Sequence, residues 1–156
     1  MAKNIKTRDF GEVVVADEAV ITFPEGIYGF EDIREFALIA PLGDNKFPMW
    51  LQSVKAENPC FIVFDPLSVK GDYSIDISQH EKEVLLLDDI KDIRCLVLAV
   101  IPADYKKATV NLKCPIVINI KKNVGIQLIL DNDLSTRERL FEPLSSEKEA
   151  HNAGDN

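Results

Sequence analysis

Apolar residues come in short runs along this chain, most of them alternating with polar ones, and prolines, glycines or acids close each run. Val13 to Ala16 and Ala19 to Phe23 flank Asp17 and Glu18, predicting two strands joined by a tight turn. Phe23-Pro24-Glu25-Gly26 fits a type I turn, with proline at its second position and glycine at its fourth. Phe30, Ile33 and Ala37 share one face at helical spacing, which predicts a single helical turn over Glu31 to Glu35. Further strands are expected at Phe36–Ala40, Trp50–Val54, Cys60–Phe64 and Tyr73–Ile77, bounded by Pro41, Pro48, Pro59 and Pro66, because proline cannot donate to a ladder. Cys95 to Ile101 is continuously apolar, as expected of a strand buried on both faces. Thr109–Leu112, Ile116–Ile120 and Ile126–Leu130 follow, with Lys121 to Gly125 joining the last two as a hairpin whose Asn and Gly tolerate positive φ.

One helix interrupts the strands. Ser78-Gln79-His80-Glu81 has the form of a capping box, in which the Ser and Glu side chains satisfy two backbone donors. Val84, Leu85 and Leu87 follow at helical spacing and Asp88-Asp89 ends the segment, though Val84 to Leu87 could also be read as strand. So many short strands with so little helix predict an all-β domain, a small barrel or a sandwich, with one short helix. One domain over residues 1–142 is expected. Residues 143–156 are polar and aperiodic, and too poor in apolar surface to offset the entropy of ordering, so a disordered tail is expected there.

Charge narrows the partners. Among 156 residues, 18 basic side chains face 26 acidic ones, a formal net charge of −8, which disfavours nucleic acid and anionic lipid and favours basic partners. No apolar run approaches the roughly 20 residues that span a bilayer, and Met1 to Asp9 lacks the apolar stretch of a secretory signal. Cys60, Cys95 and Cys114 are odd in number, form no C-x-x-C and sit in apolar segments, so they read as reduced structural thiols. Together these features predict a cytoplasmic protein.

Candidate catalytic chemistry is sparse. No P-loop, H-E-x-x-H, G-x-S-x-G or G-x-G-x-x-G pattern occurs. His80 would lie in a helix first turn and His151 in the tail, and neither has a nucleophile or metal partner near it in sequence. Asp131, Asn132, Asp133 and Glu142 are spaced like a calcium loop, but Thr136 stands where glycine is needed and Arg137 and Arg139 intrude, so the segment reads as a capped strand end before a short helical turn. No metal, cofactor or catalytic residue is expected. Trp50 reads as a core residue, with an exposed partner anchor as the alternative.

The distribution of charge is more informative. Asp72 to Asp92 holds seven acids and two lysines, whereas Tyr105 to Lys122 holds five lysines and no acid, which predicts one acidic and one basic surface region. An RNA platform would interleave aromatics with those lysines, and Tyr105 is the only one there. No direct nucleic-acid binding is expected.

Several segments, in order, resemble the flagellar assembly factor FliW family. They are Phe23-Pro24-Glu25-Gly26-Ile27-Tyr28-Gly29-Phe30-Glu31, Trp50 to Ser53, Asp65-Pro66, and Thr109 to Asn119, with Asn111, Cys114 and Pro115 among them. The resemblance implies a barrel-like fold without a cofactor, and a non-enzymatic regulator. It further implies binding to CsrA, a dimeric RNA-binding translational repressor, so that flagellin messenger RNA is freed, and competing binding by flagellin. A flagellin chaperone without a regulatory role, or a small β-barrel enzyme using carboxylates, are the alternatives. Charge complementarity to an RNA-binding repressor selects Asp72, Asp76, Glu81, Asp88, Asp89 and Asp104 as contacts, an inference from charge rather than from the family.

Overall fold

A computed structural model describes residues 1–141. Its strands are β1 (Ala2–Lys6), β2 (Glu12–Ala16), β3 (Ile21–Thr22), β4 (Glu35–Ile39), β5 (Met49–Ser53), β6 (Cys60–Phe64), β7 (Ile93–Val100), β8 (Thr109–Val110), β9 (Ile116–Asn119), β10 (Val124–Gln127) and β11 (Glu138–Arg139), with one helix, α1 (Gln79–Val84). Strands β7, β6, β5, β4, β3, β10 and β9 pair in that order, and β9 pairs back onto β7, closing a barrel. Of the two expected architectures, the barrel is the one present. All ring pairings are antiparallel except β3 with β10. Outside the ring, β8 extends the sheet from the far end of β7 and β11 pairs with β8.

Alternation along each strand sorts side chains into two cores. Phe23, Phe36, Met49, Leu51, Val63, Leu96, Ile116 and Ile118 fill the barrel. A second apolar layer lies outside it, where Val97, Val117 and Ile126 on the outer faces meet Tyr73, Leu85, Leu112 and Leu130. The long β6–β7 connection supplies much of this cover, which is why β7 carries apolar residues on both faces. The β1–β2 hairpin lies over another outer face, where Ile5 and Val15 pack against Ala37 and Val54.

The Phe23–Gly26 turn forms as expected, with Gly26 N–H donating to Phe23 C=O at 2.9 Å. Gly26 has φ +70°, and a Cβ there would lie 2.5 Å from the Glu31 backbone. The β9–β10 hairpin also forms, with Asn123 at φ +52°.

Four expectations fail. The segments around Asp17-Glu18 do not pair with each other: a 3-10 turn over Asp17–Ala19 separates β2 from β3, and β2 pairs with β1. Glu31 to Glu35 forms no helix; Ile33 N–H donates to Phe30 C=O in a turn that leads directly into β4. Tyr73–Ile77 is not a strand, because its alternating apolar residues pack on the outer core without any ladder. No helical turn follows Asp131; β11 stands there instead. The expected tail at 143–156, and Glu142, lie outside the described residues.

Candidate partner-binding surface

Five of the six expected contact residues sit on the β6–β7 connection. It begins at Asp65, whose carboxylate accepts from Leu67 N–H at 2.9 Å and caps a 3-10 turn with Pro66 in its first position. Tyr73 anchors its middle: the phenol donates to Leu112 C=O at 2.7 Å, and burial pushes the Tyr73 pKa up. α1 then starts at the expected capping box, with Ser78 Oγ accepting from Glu81 N–H at 3.1 Å and Glu81 Oε1 accepting from Ser78 N–H at 2.8 Å. Leu85 caps the helix and is fully buried, and Leu86 turns into the left-handed region at φ +56°. The helix therefore ends before Asp88.

Asn119, buried at the end of β9, ties this segment to the barrel. Its Nδ2 donates to the carbonyls of Leu85 and Leu86 at 2.9 and 3.1 Å, while its Oδ1 accepts from the backbone of Lys121 and Lys122. A single amide thus fixes both the acidic helix and the lysine-bearing hairpin.

The acids differ in what they already do. Asp72 is exposed and pairs with Lys70 at 3.1 Å, and that hydrogen bond holds its carboxyl below the usual carboxylate range. Asp76 is exposed in the irregular segment before α1. Glu81 is half-buried in its cap. Asp88 is exposed and lies 3.5 Å from Lys122. Asp89 is exposed and accepts from Lys91 N–H at 3.0 Å, capping a 3-10 turn. Asp104 stands apart in the β7–β8 connection, where it caps the Tyr105–Lys107 turn through Lys106 N–H.

The lysines do not form the separate basic region expected from sequence. Lys122 borders the acidic segment, Lys113 Nζ donates to Asn132 C=O at 2.8 Å, and Lys106 and Lys107 lie on the Asp104 turn. Folding brings Lys122 of the basic run beside Asp88 of the acidic one because the β9–β10 hairpin lies beside the end of the α1 segment.

Trp50 is also placed differently from its expected core position. Met49 and Leu51 enter the barrel, so strand alternation turns Trp50 outward, where it is half-buried. Phe10 meets it edge-on with ring centroids 4.9 Å apart, and its indole N–H donates to Asp9 at 2.9 Å. Arg8 completes the clasp, bonding Asp9, donating from Nη1 to Cys60 C=O at 2.8 Å and from its backbone N–H to Gln52 Oε1 at 3.0 Å. This group joins the β1–β2 hairpin to the barrel. The alternation of Met49 and Leu51 was the available signal for it.

Carboxylate chemistry would need acids converging in a cavity. A cleft of about 310 Å³ beside Asp72 also contains Asp133, but Lys70 occupies it as well and already pairs with Asp72. Among the described residues, no group of three or more His, Cys, Asp or Glu could hold a metal ion, and no helix is long and apolar enough to cross a membrane. The cysteines are unpaired, and burial pushes the Cys60 thiol up and the Cys95 thiol to about 12, so neither is an activated nucleophile.

A small closed β-barrel wrapped on its outer faces by an acidic connection and an N-terminal hairpin defines the structural class. The FliW protein family model matches residues 4–140, and the chain belongs to that family. A flagellar assembly factor FliW from Caldicellulosiruptor bescii is 37% identical over 147 residues, covering 93% of this chain and 95% of the relative. One from Thermoanaerobacter pseudethanolicus is 41% identical over 132 residues, covering 83% and 86%. A crystal structure of a flagellar assembly factor FliW superposes with a TM-score of 0.84 at 29% identity, covering 90% of this chain and 99% of the other.

Proposed function

We propose that this protein is a non-enzymatic regulator of flagellum assembly that binds and antagonises a CsrA-type translational repressor, and that flagellin binds it in competition. The acidic β6–β7 connection carries this reading: Asp72, Asp76, Asp88 and Asp89 are exposed on one segment that Asn119 and Leu85 anchor to the barrel. An RNA-binding surface is positively charged, and fixed carboxylates complement it at little cost in ordering. Bound beside that surface, they would repel phosphate without occupying the RNA site. The cytoplasm, where repressor and messenger meet, is the compartment this function requires.

The structure refines which acids to test. Glu81 already serves its capping box, and Asp89 and Asp104 cap 3-10 turns, so substituting them perturbs local backbone as well as charge. Asp72 and Asp76 are the cleaner probes. Mixing the purified chain with repressor should give a heterocomplex on size exclusion, and flagellin should displace the repressor from it. Binding of flagellin with no repressor complex at any ionic strength would favour the dedicated-chaperone reading instead.

A further inference from the structure

β6 stops early, and one edge of β7 is left open. Ile120 N–H donates to Asp92 C=O, which makes Ile93 and Asn119 a non-hydrogen-bonded pair and directs the backbone groups of Arg94 and Leu96 toward β9. The groups of Ile93, Cys95 and Val97 therefore point the other way, toward β6. Val97 meets Phe64 there, the last residue of β6. Pro66 follows, with no N–H to offer Cys95, and the chain turns away into its 3-10 turn. Across a cavity from the open edge lie Ser74 and Ile75, in a segment that joins no strand. Among the described residues, Ile93 and Cys95 gain no backbone bond on this side.

Between them lies a cavity of about 440 Å³ lined by Phe47, Pro66, Leu67, Ile75 and Leu96, with Arg94 at its inner side. Arg94 is charged but meets only neutral partners, Asn45 Oδ1 at 2.6 Å and Met49 Sδ at 4.0 Å, and forms no ion pair among the described residues. Asp65 lines the same cavity but caps Leu67, and Asp44, which shares a second cavity with Arg94, makes no ion pair with it. On a chain of net charge −8, Arg94 is a cation with no carboxylate paired to it among the described residues.

We propose that this slot receives an extended, proline-free, apolar strand of a partner protein that carries one carboxylate, added beside β7 and reaching Arg94. Unpaired backbone on an edge is the template for strand addition. Side chains of the added strand would alternate between the barrel side, with Phe47 and Arg94, and the outer side, with Leu67 and Ile75. This mode uses neither α1 nor the acids of the repressor-binding reading, so either can fail alone.

Amide hydrogen exchange on the full chain tests it. Ile93 and Cys95 should exchange faster than Arg94 and Leu96, whose amides are committed to β9. A panel of short capped peptides alternating Val and Thr, with one Glu placed in turn at each position, should contain members that bind and slow Ile93 and Cys95. Arg94→Gln should weaken those members about tenfold, as loss of one charge-assisted hydrogen bond does, with unchanged melting temperature. N-methylation of the edge-facing peptide amides should abolish binding. Slow exchange of Ile93 and Cys95 in the free chain overturns the proposal, as does a panel with no binder. Protection arising elsewhere, or only from self-association of the chain, also overturns it.

Discussion

Gly26 and Gly29 both sit in the left-handed region, at φ +70° and +89°, yet only Gly26 has its missing Cβ pressed against backbone. Gly29→Ala should therefore cost about 1–2 kcal/mol, the ordinary penalty for an L-residue in that conformation. Gly26→Ala must in addition move the Glu31 main chain, so its loss in urea denaturation should clearly exceed that of Gly29→Ala. Equal losses would show that the turn yields freely. Asn119 makes a second residue-scale case. Asn119→Ala removes donors to Leu85 and Leu86 and an acceptor for two lysine amides, and should cost about 1–3 kcal/mol. The same variant should speed amide exchange at Lys121 and Lys122, whose N–H groups Asn119 accepts. The donor role is not readable from the sequence, because Asn119 closes an apolar strand and the carbonyls it meets are 34 and 33 residues away, whereas its acceptor role is local, two and three residues on.

The β1–β2 hairpin and its clasp belong to the scale of elements. Hydrogen bonds from Arg8, and then from Trp50, hold the Asp9 carboxyl below the usual carboxylate range. A carboxyl whose folded-state pKa is depressed adds stability above its unfolded value of about 3.9, and that contribution is lost as pH falls through the folded value. Trp50 fluorescence should therefore change as the medium is acidified through and below pH of about 4, and Asp9→Asn should remove that change while leaving the rest of the acid transition in place. The elements themselves were unevenly legible. Strands β4 to β6 could be read because flanking prolines mark them, β7 because its apolar run is continuous, and β9 because Pro115 precedes it. β10, at Val124–Gln127, begins and ends earlier than the expected Ile126–Leu130. β1 could not, since only Ile5 of Ala2–Lys6 is buried. Tyr73, Ile75 and Ile77 alternate like a strand because they cover the outer core; the period reports burial and not pairing. Glu81 is legible both as a cap and as a surface charge, and the fold commits it to the cap.

At the scale of the whole molecule, the barrel positions an acidic connection and leaves a β7 edge open, and the charge count of the sequence described only the first. Counting acids picked out this connection but could not tell spare carboxylates from those already bonded, nor foresee that Lys122 would fold beside Asp88. The proposed function requires that exposed carboxylates on this connection hold a cationic repressor. Calorimetric titration of the repressor dimer into the wild-type chain and into an Asp72→Lys, Asp76→Lys double variant, each at low and at raised salt, tests it most directly. Wild-type affinity should fall with salt, the double variant should bind at least about tenfold more weakly at low salt, and the melting temperatures should be indistinguishable. An unchanged affinity in the double variant, with the same dependence on salt as the wild type, would contradict it.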